Sequence, residues 1–80
     1  MHNARVYHLR DAHNHVLATA EVTFDLQLNM HNMDVEDSKT KKIVHFEYEN
    51  PNDASRYIKL GAIGLNLAGY DHFIEEAMPV

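Results

Sequence analysis

The stretch VLATAEVTFDLQLNM, residues 16–30, decides how this chain is read. Every even position is apolar: Val16, Ala18, Ala20, Val22, Phe24, Leu26, Leu28 and Met30. After Leu17 the odd positions are polar: Thr19, Glu21, Thr23, Asp25, Gln27 and Asn29. A period of two sends alternate side chains to opposite sides of an extended backbone, so the spacing predicts one long, half-buried β-strand. At about 3.3 Å per residue that strand runs about 50 Å. A compact chain of this length measures only about 30 Å across. The strand must therefore bend, or extend into a second molecule.

Working outward, Ala4 to Arg10 predicts a first strand, turned back through Asp11-Ala12-His13-Asn14-His15. A loop of Ala12, His13 and Asn14, with Asn14 in the left-handed conformation, sets Arg5 opposite Glu21, Val6 opposite Ala20 and Leu9 opposite Leu17. On that register His8 lies on the inward side of the strand. The polar segment from His31 to Lys41 reads as a long loop. Lys42 to Glu49 then predicts a third strand, with Val44, Phe46 and Tyr48 on one side. Folded onto the long strand, it pairs Leu28 with Val44, Leu26 with Phe46 and Phe24 with Tyr48, and brings Asp25 opposite Glu47. Pro51 ends it, and Asn52 or Asp53 caps a helix running to about Ala68, stopped by Gly69. Tyr70 to Met78, begun by Asp71, predicts a short terminal helix. The expected fold is α+β. It is a three-stranded antiparallel meander with a long central strand, one main C-terminal helix and a short terminal helix, all in a single domain spanning residues 1–80.

Composition narrows the chemistry. A chain of 80 residues buries only about 60–65% of its unfolded surface and is marginal alone. With no cysteine, neither a disulfide nor a thiolate metal site can supplement the core. No run approaches the ~20 apolar residues of a membrane span, and Met1-His2-Asn3-Ala4-Arg5 lacks the apolar core of an export signal. These features lead to an expectation of a cytoplasmic protein without membrane contact. Twelve acidic against seven basic residues give a formal charge of −5, which disfavours nucleic acid and favours a basic protein partner.

Seven histidines stand in the sequence, His13 and His15 among them as an H-x-H pair. Imidazole suits metals, but this pair falls in a predicted turn without the helical spacing of a zinc motif. Asp25, Glu47 and Glu49 beside His45 make a carboxylate group on a flat outward face, and acid–base catalysis needs a cleft. The sequence therefore predicts no catalytic residue, no metal ligand and no cofactor. The reading is a small non-enzymatic protein-binding module. It would inhibit a larger basic partner, itself a nucleic-acid binder for example, by covering its surface, as phage-encoded anti-defence proteins and antitoxins do as a class. The expected partner contacts are Glu21, Asp25, Asp34, Glu36, Asp37, Glu47 and Glu49. Unpaired strand edges and an apolar face longer than the helix predict a homodimer, through Phe24, Leu26, Leu28 and Met30 and the small-residue stripe of Gly61 and Gly64. The alternatives are a metal-binding protein or metal-dependent enzyme using the histidines, and a nucleic-acid binder using Lys39, Lys41, Lys42, Arg56 and Lys59.

Overall fold

The alternating stretch does not form one strand. In the computed structural model, which describes residues 4–67 and 73–77, strand β2 spans Val16–Asp25 and β3 spans Met30–Asp37. Residues 26–29 between them are a turn. The Asp25 carboxylate accepts hydrogen bonds from the backbone N–H groups of Gln27, at 2.9 Å, and Leu28, at 3.2 Å. An aspartate used in this way imitates a backbone turn. Asn29 completes the reversal with φ of 52°, a left-handed conformation that asparagine tolerates better than most residues. The apolar spacing thus continues through Leu26 and Leu28 after the strand has stopped. The molecule measures 38 × 26 × 22 Å, so no 50 Å strand has to be housed.

The remaining elements are β1 (Arg5–Arg10), β4 (Ile43–Tyr48), a 3-10 turn (Pro51–Asp53), helix α1 (Ala54–Gly64) and β5 (Phe73–Ala77). All strand pairs are antiparallel, in the order β4-β3-β2-β1-β5. This five-stranded sheet corrects the expected three-stranded meander with two helices. Most of the segment expected as a loop, His31 to Lys41, is β3, bonded to β2 on one side and β4 on the other. Its Asn, Asp and Glu residues are poor strand formers alone, but a place between two strands satisfies both of its edges. Met33 and Val35 are fully buried there. The expected terminal helix gives way to β5, which pairs with β1. The flanking Gly69, Tyr70, Asp71 and Met78 lie outside the described residues.

The β1–β2 hairpin begins in the expected register, Arg10 opposite Val16, and then shifts between Arg10 and Leu9. Leu17 is the extra residue of this bulge, and the shift turns the whole of β1 over. Leu9 and Tyr7 face inward opposite Ala18 and Ala20, and Arg5 pairs with Val22. His8 faces outward between Thr19 and Glu75. In the turn itself Asn14 has the expected positive φ, 68°, and the Asp11 carboxylate accepts from the N–H groups of His13 and His15. Strand β4 has the expected inward triplet, but its neighbour is β3. Val44 pairs with Val35, Phe46 with Met33 and Tyr48 with His31. Asp25 is therefore opposite Met30, and Glu47 is opposite Asn32.

The core lies between the inner sheet face and α1. Leu9, Ala18, Ala20, Val22, Met33, Val35 and Tyr48 are buried against Ile58 and Ala62 of the helix. Gly61 sets the closeness of approach, since a Cβ there would lie 2.9 Å from Val35 Cγ2. The helix ends earlier than the expected Ala68. Asn66 takes the left-handed position, φ 61°, and the Leu67 N–H returns to the Ala62 carbonyl at 2.8 Å. This is the helix-stopping geometry usually left to glycine. At the start, the Asn50 side chain accepts from the Asn52 N–H, and Pro51 occupies the first turn, where its missing donor costs nothing.

Asp37 ends β3 and is the one buried charged residue of the described core, at 7% exposure. Its carboxylate accepts from the backbone N–H groups of Thr40, at 3.0 Å, and Lys39, at 2.8 Å. These bonds, Thr40 first, hold its carboxyl below the ordinary aspartate value. Because the folded-state value is depressed, the stabilisation is complete above the unfolded value near 4 and is lost as the pH falls through the folded one. Asp37→Asn is expected to cost about 1–2 kcal/mol at neutral pH. Its thermal midpoint should fall less steeply than that of the wild type when both are melted between pH 6 and pH 3. Identical pH profiles would show that the carboxylate does not hold this turn.

Candidate partner-binding surface

The two ends of the sheet differ. One end carries the β1–β2 and β3–β4 turns, with His13, His15, Lys39, Lys41 and Lys42, all exposed. The other end carries the β2–β3 turn, where Leu26 is 85% and Leu28 69% exposed. Two leucines held in water cost hydrophobic free energy, roughly 1.5–3 kcal/mol each relative to burial. The Asp25 carboxylate bonds hold them in a fixed loop, so the tip is preorganised. Phe24, 43% exposed, begins the apolar patch on the inner side, its ring 4.8 Å from that of His31.

The outer face behind this tip has no covering layer among the described residues. Its cross-strand rows follow from the register. Asp25 and Met30 stand nearest the tip, then Thr23, Asn32 and Glu47, followed by Val6, Glu21, Asp34 and His45. Glu21 and Asp34 are direct cross-strand neighbours, a like-charge pairing that destabilises a sheet. His45 relieves part of it: Nδ1 is 2.7 Å from Asp34 and Nε2 is 3.3 Å from Glu47. Hydrogen bonding to Asp34, then to Glu47, raises the His45 pKa above its ordinary value. Glu21 receives no such relief among the described residues, and all three carboxylates are exposed. The arrangement keeps negative charge on an open face at a cost to the fold.

The expected contact residues thus divide. Glu21, Asp34 and Glu47 share the outer face, and Glu36 lies one row further from the tip, opposite Thr19 and Ile43. Glu49 is exposed just beyond β4. Asp25 and Asp37 hold turns, and Asp37 is buried. Of the expected dimer residues, Phe24, Leu26 and Leu28 gather at the tip and Met30 follows on the outer face. Gly61 is packed within the chain on Val35, while Gly64 is exposed near Val44. His13 and His15 stand with ring centroids 6.3 Å apart, and His15 Nδ1 is 3.4 Å from Asp11. No group of three metal-ligating side chains converges among the described residues. Lys39, Lys41 and Lys42 are exposed at the β3–β4 turn, and Arg56 and Lys59 are exposed on α1.

The sequence reading missed a cleft on the inner face at the tip end, of about 240 Å³, lined by Arg5, Tyr7, Phe24, His31 and Tyr48 among others. The imidazole of His31 stacks on Tyr48 at 5.2 Å, and Tyr48 on Tyr57 at 5.0 Å. Burial pushes the Tyr48 hydroxyl pKa up. Arg5 meets Glu76 at 3.8 Å, so its charge is partly answered within the chain. The signal for this cleft was the inward alternation of Tyr7 and His31, concealed by the β1 bulge and by reading β3 as a loop.

Comparison of the chain with protein-family models, with curated proteins and with solved structures finds no match. Among the described residues no helix is long and apolar enough to cross a membrane.

Proposed function

We propose that this chain is a non-enzymatic binding module that covers a basic surface of a larger protein, and inhibits that partner by occlusion. The observation that carries this reading is the juxtaposition of the exposed Leu26/Leu28 tip with the uncovered Glu21, Asp34 and Glu47 face. The tip supplies a compact apolar anchor for a pocket, and the carboxylates supply attraction to a cationic rim and a fast encounter. The chemistry expected of the partner is therefore an apolar pocket bordered by Lys and Arg.

Quantitative affinity capture with three baits tests this: wild type, Leu26→Asp/Leu28→Asp, and Glu21→Lys/Asp34→Lys. A basic protein is expected on the wild-type bait alone, and raised salt should weaken its capture. A partner retained equally by all three baits would place the contact elsewhere and overturn this reading.

A further inference from the structure

We propose that the β4 edge is a self-association surface, on which two copies of this chain pair β4 with β4 about a two-fold axis, Phe46 opposite Phe46. This inference concerns a second copy and does not depend on the partner contact proposed above. The Asp37 N–H donates to the Lys42 carbonyl at 2.9 Å, in the same register as the Val35–Val44 pair. By alternation, the even residues of β4 bond to β3. The backbone groups of Ile43, His45 and Glu47 therefore point out of the open edge.

Natural sheets protect such edges with Pro, Lys, bulges or shortness. Strand β5, at the other edge, is five residues and carries two adjacent carboxylates, Glu75 and Glu76. Strand β4 is six residues, IVHFEY, with neither Pro nor Lys.

Symmetric registers centred on Val44, His45, Phe46 or Glu47 pair at least three residues of β4 with the two inner faces on the same side, and centring on Val44 sets Ile43 against His45. Centring on His45 opposes two imidazoles and sets Ile43 against Glu47. Centring on Glu47 opposes two carboxylates. Centring on Phe46 sets His45 opposite Glu47 of the second copy, twice, and Val44 opposite Tyr48. Only the Phe46-centred register combines charge complementarity on the outer face with aromatic and aliphatic pairs on the inner face. In it each His45 and the opposing Glu47 exchange both backbone hydrogen bonds. Phe46 occupies the non-hydrogen-bonded site, where side chains come closest.

The helix agrees. Gly61 faces Val35 of β3, Gly64 faces Val44 of β4 at 3.5 Å, and Tyr57 lies 5.3 Å from Phe46. Helix α1 therefore runs along the β3–β4 boundary. The turn of about 100° per residue in a helix puts Leu60 on the same flank as Tyr57 and Gly64, the side toward the open edge, and it is 42% exposed. With strands about 4.8 Å apart, joining the two edges places the two helix axes about 10 Å apart, which is a packing distance for helices. Leu60 and Gly64 of both copies would fill the space between them, with the exposed Ile63 at its margin.

Sedimentation velocity on the full chain tests the assembly. The wild type is expected to be a dimer in the micromolar range. Leu60→Asp and His45→Glu should each raise the dimer Kd at least tenfold while circular dichroism shows the fold retained. His45→Glu/Glu47→Lys should recover it, since the opposed charges are again complementary. The cysteine-free background allows a second measurement, independent of stability. Leu60→Cys should form a disulfide-linked dimer on mild oxidation, and Ser55→Cys, on the opposite flank of α1, should not. A wild-type monomer across the micromolar range overturns the proposal. So does a dimer that ignores both single substitutions, or equal crosslinking at the two cysteine positions.

Discussion

Val35→Asp is expected to abolish the cooperative fold, whereas Leu26→Asp should leave the thermal midpoint almost unchanged. Leu26 belongs to the period-two run and reads from the sequence as lying on a buried strand face, whereas Val35 reads as part of a polar loop. The structure reverses them. Val35 is fully buried in the interior strand β3, under Gly61 of the helix. A carboxylate there has no cation or donor within the core, and an uncompensated buried charge costs about 3–5 kcal/mol. A chain of this length has about 4–12 kcal/mol of total stability, so the loss reaches much of it. Leu26 is 85% exposed in the β2–β3 turn. Its substitution leaves the Asp25 bonds to Gln27 and Leu28 in place, and surface changes of this kind stay within about 0.5 kcal/mol. Urea melts followed by circular dichroism read both results. Unfolding of Leu26→Asp to the same degree as Val35→Asp would mean that the strand runs on past Asp25.

The difference between these two leads shows what alternation can and cannot convey. Period two reports which side chains share a face for as long as the chain stays extended. It does not report where extension stops. The stop here is a side-chain event, the Asp25 carboxylate capturing two N–H groups, and Asp25 occupies an ordinary polar position of the pattern. The inward triplet Val44, Phe46 and Tyr48 was legible because branched and aromatic residues dominate it. Strand β3 was hidden because its apolar positions are few and its Asn, Asp and Glu residues suggest a loop. Its strand conformation comes from having neighbours on both sides, which is tertiary information. The β1 register was legible for one pair and then lost at the Leu17 bulge, which no local pattern announces. The acidic face survives these errors in part. Glu21 and Glu47 stand outward in β2 and β4, and Asp34, read as a loop acid, stands beside Glu21 in β3.

The second large effect is expected at Gly61. Helix propensity alone favours alanine over glycine by about 1 kcal/mol, so Gly61→Ala would stabilise a solvent-exposed helix. Here the added Cβ would meet Val35 at 2.9, 3.0 and 3.1 Å, touching Cγ2, Cβ and Cγ1 together. Val35 cannot swing clear, because a β-branched side chain has few rotamers and this one is enclosed on every side. Overpacking of this kind costs about 1–3 kcal/mol, which outweighs the propensity gain. Gly61→Leu should exceed that range, because a whole side chain must then displace α1 from the sheet. The decisive measurement is a double-mutant cycle with Val35→Ala, which removes all the side-chain atoms that clash except Cβ. The cost of Gly61→Ala should shrink by about 1 kcal/mol or more in the Val35→Ala background, since residues in contact couple by 0.5–3 kcal/mol. If Gly61→Ala is stabilising in the wild type, the helix does not sit on β3 at this distance. The placement of Leu60 toward the β4 edge, and the dimer built on it, would then fail together with the packing.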